Sequence, residues 1–383
     1  MNNFNYSNPV KIIFGKRTIA HIADEIPLQS KILLVYGGGS IKSNGVYQQV
    51  TEALKRHTLF EFSGIEANPT LETSLKAIEL IKKESINFIL AVGGGSVIDA
   101  SKFMALGSQA SGDPWEILSK GKYPEKALPL GTILTLPATG TEMNDRAVIT
   151  NQALQDKRSF RTPLVFPRFS VLDPEVTYSL PVRQVANGVV DTFVHTTEQY
   201  LTYPDNAQVQ DRFAESLLKI LVDLGPQALK TPEDYHVRGN LMWASSWALN
   251  GWIGQGVPED WATHQIGHEL TAFYGLDHAQ TLAIVLPGVL ESQFEYKMDK
   301  LAQFGERVFN LNQTNTKERA KATIDAIEAF FKQMGVGTRL SDYGLGDEVP
   351  TKVANRLRER GWVLGEHQRI TADVVETLLQ SRR

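Results

Sequence analysis

The chain has 383 residues, 42% of them hydrophobic and 21% charged, with a formal net charge of −4. That length accommodates two domains, and the charge leaves no global basic field for nucleic acid or an anionic membrane. Cysteine is absent, so disulfides, iron–sulfur clusters, a thiol nucleophile and thiolate-bound zinc are excluded, and any metal must be held by nitrogen and oxygen.

The opening MNNFNYSNPV lacks a basic segment followed by an apolar core, and no apolar stretch approaches a bilayer span. Both features predict a cytoplasmic chain with no membrane partner. Residues 10–14 and Lys31–Tyr36 (KILLVY) are short, β-branched and apolar, and each runs into glycine, so both are predicted as strands. A helix over 46–57 and a strand over 59–62 follow. Leu71–Glu84 sets Leu75, Ile78, Leu80 and Ile81 at helical spacing. Residues 86–92 (INFILAV) form an almost unbroken apolar run, the pattern of a strand covered on both faces. A helix is expected to open at Ser96, and 132–136 offers one more strand. Alternation of this kind implies a parallel sheet with helices on both sides.

Beyond about residue 180 the texture changes. Val209, Phe213, Leu217, Ile220 and Leu224 form one apolar stripe at helical spacing, and similar stripes recur over 240–255, 260–274, 297–309, 316–334 and 370–380. Pro167, Pro174 and Pro181 punctuate the passage. The expected organisation is an α/β domain over 1–180 and a helical domain over 181–383.

Gly-Gly-Gly-Ser occurs twice, at 37–40 and 93–96, each time after a predicted strand. Glycine lets a backbone approach phosphate closely, and a helix start beyond it supplies unpaired N–H groups. One such loop reads more readily as a tight strand–helix turn, and neither copy matches GxGxxG. Two copies at the carboxyl ends of parallel strands favour a nucleotide, because open α/β sheets bind nucleotides at that edge. Residues 93–96 lead directly into Val97-Ile98-Asp99-Ala100 and form the better pyrophosphate cradle. Around 37–40 an acidic residue for a ribose 2′-hydroxyl is missing. Gly39, Ser40 and Lys42 instead offer the space, hydrogen-bond donor and positive charge that a 2′-phosphate needs, so a loop that meets the adenosine ribose here predicts NADPH, although spacing alone reads Lys42 more readily as an ordinary solvated lysine.

Among eight histidines, His195, His264, His268 and His278 have informative spacing. Asp191 and His195 are four apart and share a helix face, as do His264 and His268. His278 follows a glycine at 275, where a turn can bring it back towards His264. Each pair alone also fits half-buried helical histidines bonded to neighbours. Taken jointly, a carboxylate with imidazoles suits Fe(II) or Zn(II). A zinc protease is excluded, since Gln265 stands where the HExxH glutamate would be. The aromatics Trp243, Trp247, Trp252, Trp261, Phe273 and Tyr274 fit helix packing and, for some, an apolar substrate pocket.

GGGSVIDASK (93–102), LPATGTE (136–142), RQVANGVVDTFVH (183–195) and the segment from His264 to His278 together resemble the iron-containing, or group III metal-dependent, alcohol dehydrogenase family over essentially the whole chain. The opening NNFNYSNPVKIIFGK, the GGGS at 37–40 and NGWIGQGVPEDWATHQIGHELTA resemble its branch of bacterial NADPH-dependent aldehyde reductases and butanol dehydrogenases. The resemblance implies an N-terminal dinucleotide-binding α/β domain, an all-helical C-terminal domain, and a site in the cleft between them. It implies metal ligands at Asp191, His195, His264 and His278, with His268 beside the metal as a proton relay or a positioning group. It places the pyrophosphate and nicotinamide end at Gly94, Gly95, Ser96 and Asp99, the nicotinamide and its ribose near Thr135, Thr139 and Lys157, and the adenosine portion near Asn68, Gly37 and Gly38. Gly39 stands where NAD-using relatives carry an aspartate, and Ser40 becomes a phosphate donor.

The chain departs from the family pattern in two places. Ala279 follows His278 where many members have glycine, and the common Gly-Thr-Gly-Ser-Glu turn is shortened to Gly140-Thr141-Glu142. The implied reaction is reduction of a short-chain aldehyde to an alcohol by NADPH, with one Fe2+ or Zn2+ as Lewis acid, in a homodimer paired through its N-terminal strand. An NAD-dependent polyol dehydrogenase is disfavoured by Gly39. A lyase of the dehydroquinate synthase type is disfavoured because 240–280 carries no lysine or arginine.

Overall fold

The structure, a computed structural model, describes residues 1–203 and 206–383. It divides into two compact units that are not simply the two halves of the chain. Ser7–Pro181 and Pro232–Ser246 form an α/β unit; Met1–Tyr6, Val182–Thr231 and Trp247–Arg383 form a helical unit. A single boundary near 180 describes the passage at Pro181 but misses two exchanged segments. Met242 carries the second of them into the apolar cluster of Phe103 and Met104. The first is held by the Asn2 N–H, which donates to the Gly256 carbonyl at 2.8 Å, and by Tyr6 edge-on to Trp252.

The α/β unit contains β1 (Lys11–Phe14), β2 (Lys31–Tyr36), β3 (Thr58–Phe62), β4 (Phe88–Gly94), β5 (Leu130–Leu136), β6 (Arg146–Asn151), β7 (Asp156–Arg161) and β8 (Phe169–Leu172). Six of them form one sheet in the order β1-β8-β5-β4-β2-β3, parallel throughout. The unbroken apolar runs of β2 and β4 follow from burial on both faces. Leu33, Val35, Ile89 and Ala91 join a core beneath the helices Leu71–Glu84 and Gly95–Gly107, while Ile32, Leu34, Phe88, Leu90 and Val92 join another with Ile41, Val46 and Val50. Apart from the sheet, β6 and β7 make an antiparallel hairpin. That hairpin and β8 lie beyond the strands expected from the sequence: β7 (DKRSFR) is too polar to read as a strand, and β8 has only four residues.

The sheet order locates a nucleotide edge. β2 is followed by β3 on one side, whereas β4 is followed by β5 on the other, so the winding reverses between the neighbours β2 and β4. Such a switch point opens a crevice at the carboxyl ends of the strands. Tyr36 pairs with Val92 across it, so the two triple-glycine loops begin side by side.

In the helical unit, Val182–Tyr200 is buried nearly all round from Val185 onward, despite many polar residues. Its threonines satisfy themselves within the helix: Thr192, Thr196 and Thr197 donate to the carbonyls of Gly188, Thr192 and Phe193 at 2.8–2.9 Å. Asp191, His195 and Glu198 are among the buried groups of this helix whose chemistry is not absorbed that way. Ala262–Tyr274 and His278–Ser292 pack beside it, with Ile266, Leu270, Ile284 and Val285 in a core that also takes in Val353, Leu357 and Leu379. Among the described residues, no helix is long and apolar enough to cross a membrane.

Candidate functional site

Three local devices bring the histidines of the helical unit to Asp191. The 191/195 spacing places both side chains on one face of the Val182–Tyr200 helix, with His195 Nδ1 3.2 Å from Asp191 Oδ1. Gly275, at φ +69°, ends the Ala262–Tyr274 helix in the left-handed conformation and sends the chain back. The next helix then opens at His278, fixed by a reciprocal capping box between Asp277 and Gln280. Asn187 donates to Asp277 at 2.8 Å, which ties that helix start to the helix carrying Asp191.

One ligand atom from each of Asp191, His195, His264 and His278 lies within 4.8 Å of the others. His264 stands 4.4 Å from His195 and 5.1 Å from His278 by ring centroids. Asp191, His195 and His264 are buried and His278 half-buried. His264 supplies the test of whether a metal fits here: its Nε2 is buried and has no hydrogen-bond partner among the described residues, an expensive state for a neutral nitrogen unless it is a ligand. One carboxylate and three imidazoles form a donor set suited to Fe2+ or Zn2+. His268 is half-buried, 5.5 Å from His278 between ring centroids, beside the cluster rather than within it. Trp261 lies edge-on to His264 at 5.3 Å, while Trp243 packs on Phe14 in the α/β unit.

Sequence reasoning missed Glu198. It is buried, its Oε2 faces His264 Nδ1, and its Oε1 accepts the Thr263 N–H at 2.7 Å. Burial pushes this carboxyl above its ordinary range, while the neighbouring His264 pulls it down. The signal was present as the spacing 191, 195, 198 in DTFVHTTE, one face of one helix.

In the α/β unit the cradle is mostly backbone. Gly39 has φ +99° and opens a short helical turn at Ser40, while Gly38 has open space on the side where a Cβ would stand. Ser40 is exposed. Gly95 starts the Gly95–Gly107 helix so close to the 136–139 turn that a Cβ there would lie 2.5 Å from Thr139 Oγ1. The missing Cβ of Gly95 makes room for Thr139, and a helix start of this kind, with its unpaired N–H groups, suits an anion such as a pyrophosphate. Ser96 Oγ donates to the Ala67 carbonyl, and Lys157 Nζ donates to Asn68 Oδ1 at 3.1 Å, so Ser96, Asn68 and Lys157 are linked around one segment. Thr135 is buried on β5. Asp99 is turned towards the protein: its carboxylate accepts from Thr141 Oγ1 at 2.7 Å and from the Val148 N–H at 2.9 Å.

The second residue missed is Lys102, fully buried at the end of GGGSVIDASK. Its ammonium donates to the carbonyls of Thr141, Asn144 and Arg146 and to the side chains of Thr141 and Asn144, all within 2.7–2.9 Å. Desolvation brings it down to about 8 against the pull of Asp99, Asp145 and Glu142. This residue shapes the turn that follows the shortened Gly140-Thr141-Glu142 motif.

Comparison with known proteins adds the following findings. The family model for iron-containing alcohol dehydrogenase matches residues 9–174, and the model for the C-terminal part of the Fe-containing alcohol dehydrogenase family matches 185–382. The NADPH-dependent aldehyde reductase YqhD of Escherichia coli (strain K12) is 52% identical, with 100% of both chains covered. The crystal structure of E. coli K-12 YqhD superposes with a TM-score of 0.98, at 51% identity and covering 100% of this chain and 99% of that one. NADH-dependent butanol dehydrogenase A of Thermotoga maritima superposes with a TM-score of 0.95, at 35% identity, covering 100% and 99%.

Proposed function

The chain belongs to the iron-containing alcohol dehydrogenase family, and we propose that it is a metal-dependent NADP(H) oxidoreductase that reduces short-chain aldehydes to alcohols. The observation that carries this reading is the convergence of Asp191, His195, His264 and His278 within 4.8 Å in a chain without cysteine. Dinucleotide binding is assigned to the α/β unit, which holds most of 1–180, and the metal centre to the helical unit, which holds most of 181–383. Gly39 and Ser40 favour a 2′-phosphate over a bare ribose, in keeping with the NADPH dependence of E. coli YqhD.

A bound Fe2+ or Zn2+ supplies Lewis-acid polarisation of the aldehyde carbonyl, and NADPH supplies the hydride. Asp191 brings one negative charge to the metal site, and His195, His264 and His278 complete it with neutral nitrogen donors. In the α/β unit, the backbone of Gly94, Gly95 and Ser96 holds the pyrophosphate. Thr135, Thr139 and Lys157 orient the nicotinamide and its ribose. Asn68 and the loop from Gly37 to Ser40 receive the adenosine end. Asp99 contributes by holding Thr141 and Val148 in place. His268, half-buried beside His278, holds a proton on its imidazole and passes it to the alkoxide oxygen of the product. The reading extends to a cytoplasmic homodimer in which β1, at one end of the sheet order, pairs with its counterpart.

The test is an NADPH-oxidation assay over a panel of short aldehydes, with NADH alongside and metal content measured on the same sample. We expect turnover that prefers NADPH and tracks metal content. Metal-loaded protein that oxidises neither cofactor with any aldehyde overturns the proposal.

A further inference from the structure

The N-cap residue of the Ala262–Tyr274 helix, Trp261, makes no side-chain cap. Helix starts leave N–H groups unsatisfied, and here the Thr263 N–H finds its partner on another helix. Glu198 is 4% exposed. Its Oε1 takes the Thr263 N–H in the first turn, and its own backbone carbonyl takes the Asp260 N–H at 2.9 Å, just before that turn. Its Oε2 takes Nδ1 of His264. One residue therefore fixes the helix start, the side chain that follows it, and the ring orientation of that side chain.

The clamp is itself braced by a buried cation. Lys297, 3% exposed, donates to the Leu201 carbonyl at 2.5 Å and to Glu366 at 2.9 Å, and pairs with Asp260 Oδ2 at 3.0 Å. Leu201 follows the helix of Glu198 by one residue, and Asp260 Oδ1 accepts the Ala262 N–H at 3.0 Å. The ends of both elements that meet at Glu198 are thus held by the same ammonium.

A histidine whose Nδ1–H donates to a carboxylate keeps its lone pair on Nε2. For His264 that nitrogen is the buried one without a partner among the described residues. We propose that Glu198 is a positioning residue of the metal centre, fixing His264 in the Nδ1–H tautomer with Nε2 presented as the ligand. The proposal rests on the reading of Asp191, His195, His264 and His278 as that centre.

The test uses full-length protein stripped of metal and titrated with Zn2+ against a chromophoric chelator. Glu198→Gln keeps an acceptor for Thr263 but turns an amide towards Nδ1, which favours the opposite tautomer. We expect its Zn2+ affinity to fall about 10- to 100-fold, with the melting temperature of the metal-free protein unchanged and affinity partly restored in Glu198→Asp. Affinity within twofold of wild type in Glu198→Gln overturns the proposal. A second measurement needs no variant: in 15N-histidine-labelled, metal-free wild type, His264 should show a protonated Nδ1 and an unprotonated Nε2, and the reverse pattern overturns the proposal. A wild type that binds Zn2+ no better than Asp191→Ala overturns the metal-centre reading itself, and the proposal falls with it.

Discussion

In the helical unit the candidate site is assembled from side chains: a carboxylate and three imidazoles converge because helix spacing and one left-handed glycine aim them together. In the α/β unit the candidate cradle is assembled from backbone, at two glycine loops set side by side by the pairing of Tyr36 with Val92. The two constructions should fail in different ways. A side-chain site loses its chemistry when one group is removed, while its helices stay packed. A backbone site tolerates loss of side chains and fails when a side chain is added.

The largest expected effect tests the first half of that contrast. Asp191→Ala should abolish metal retention and lower aldehyde reduction about 10³-fold or more, since it removes the only carboxylate of the four converging residues and with it several kcal/mol of charge stabilisation. NADPH binding, read by cofactor fluorescence, should fall far less than metal retention, because the α/β cradle is built from backbone and Asp191 is no part of it. Full metal occupancy in the variant breaks the assignment. Equal loss of NADPH binding breaks the contrast between the two constructions.

Lys102 is where the contrast needs sharpening, because the backbone cradle leans on one buried side chain. Lys102→Met leaves the carbonyls of Thr141, Asn144 and Arg146 without their shared donor and strands the nearby Asp99. We expect urea unfolding to show a loss of about 3–5 kcal/mol, the cost of removing one partner of a buried charged network. A loss under about 1 kcal/mol means that the 141–146 turn holds its shape unaided.

Adding a side chain probes the cradle directly. At Gly95 a Cβ would stand 2.5 Å from Thr139 Oγ1 and 2.9 Å from its Cγ2, so Gly95→Val must push the helix start from the turn. A displacement of about 1 Å is enough to weaken positioned binding by one or two orders of magnitude. We expect NADPH to bind about tenfold more weakly while metal content is unchanged. Loss of metal in this variant contradicts the division of labour.

The same contrast explains what could be read from the sequence. Candidate metal ligands are reactive residue types at short regular spacing, so Asp191 with His195, and His264 four residues before His268, stood out at once. Glu198 shares the helix face of Asp191 and His195, yet a glutamate in a helix ordinarily belongs to solvent, and only its encounter with His264, 66 residues on, shows otherwise. Lys102 was hidden for the same reason, since its acceptors lie 39 to 44 residues away. The parallel sheet was legible because β2 and β4 are apolar on both faces. The hairpin of β6 and β7 was not, because its second strand is polar, and nothing local marks Pro232–Ser246 as a piece of the α/β unit.

The smallest effect asks whether the cradle carries any side-chain selectivity. Beside the first glycine loop, Glu61 accepts from the hydroxyls of Tyr36 at 2.8 Å and Tyr47 at 2.5 Å, and pairs with Lys42 at 3.4 Å. Tyr47's hydrogen bond holds this carboxyl below its ordinary range, so it is ionised at neutral pH. Lys42 is therefore not simply a solvated cation waiting for phosphate. A 2′-phosphate at Gly39 and Ser40 must share it with a carboxylate and bear the repulsion of that carboxylate. Glu61→Gln removes the negative charge, keeps an acceptor for the tyrosines and releases Lys42. NADPH affinity should then rise about two- to fivefold, the range for one charge interaction near solvent, while NADH affinity stays unchanged. The gain should shrink at 0.5 M salt, where the Debye length falls to roughly 4 Å. Equal change for both cofactors means that Glu61 acts on the loop's shape, and then even the selectivity of this cradle belongs to its backbone.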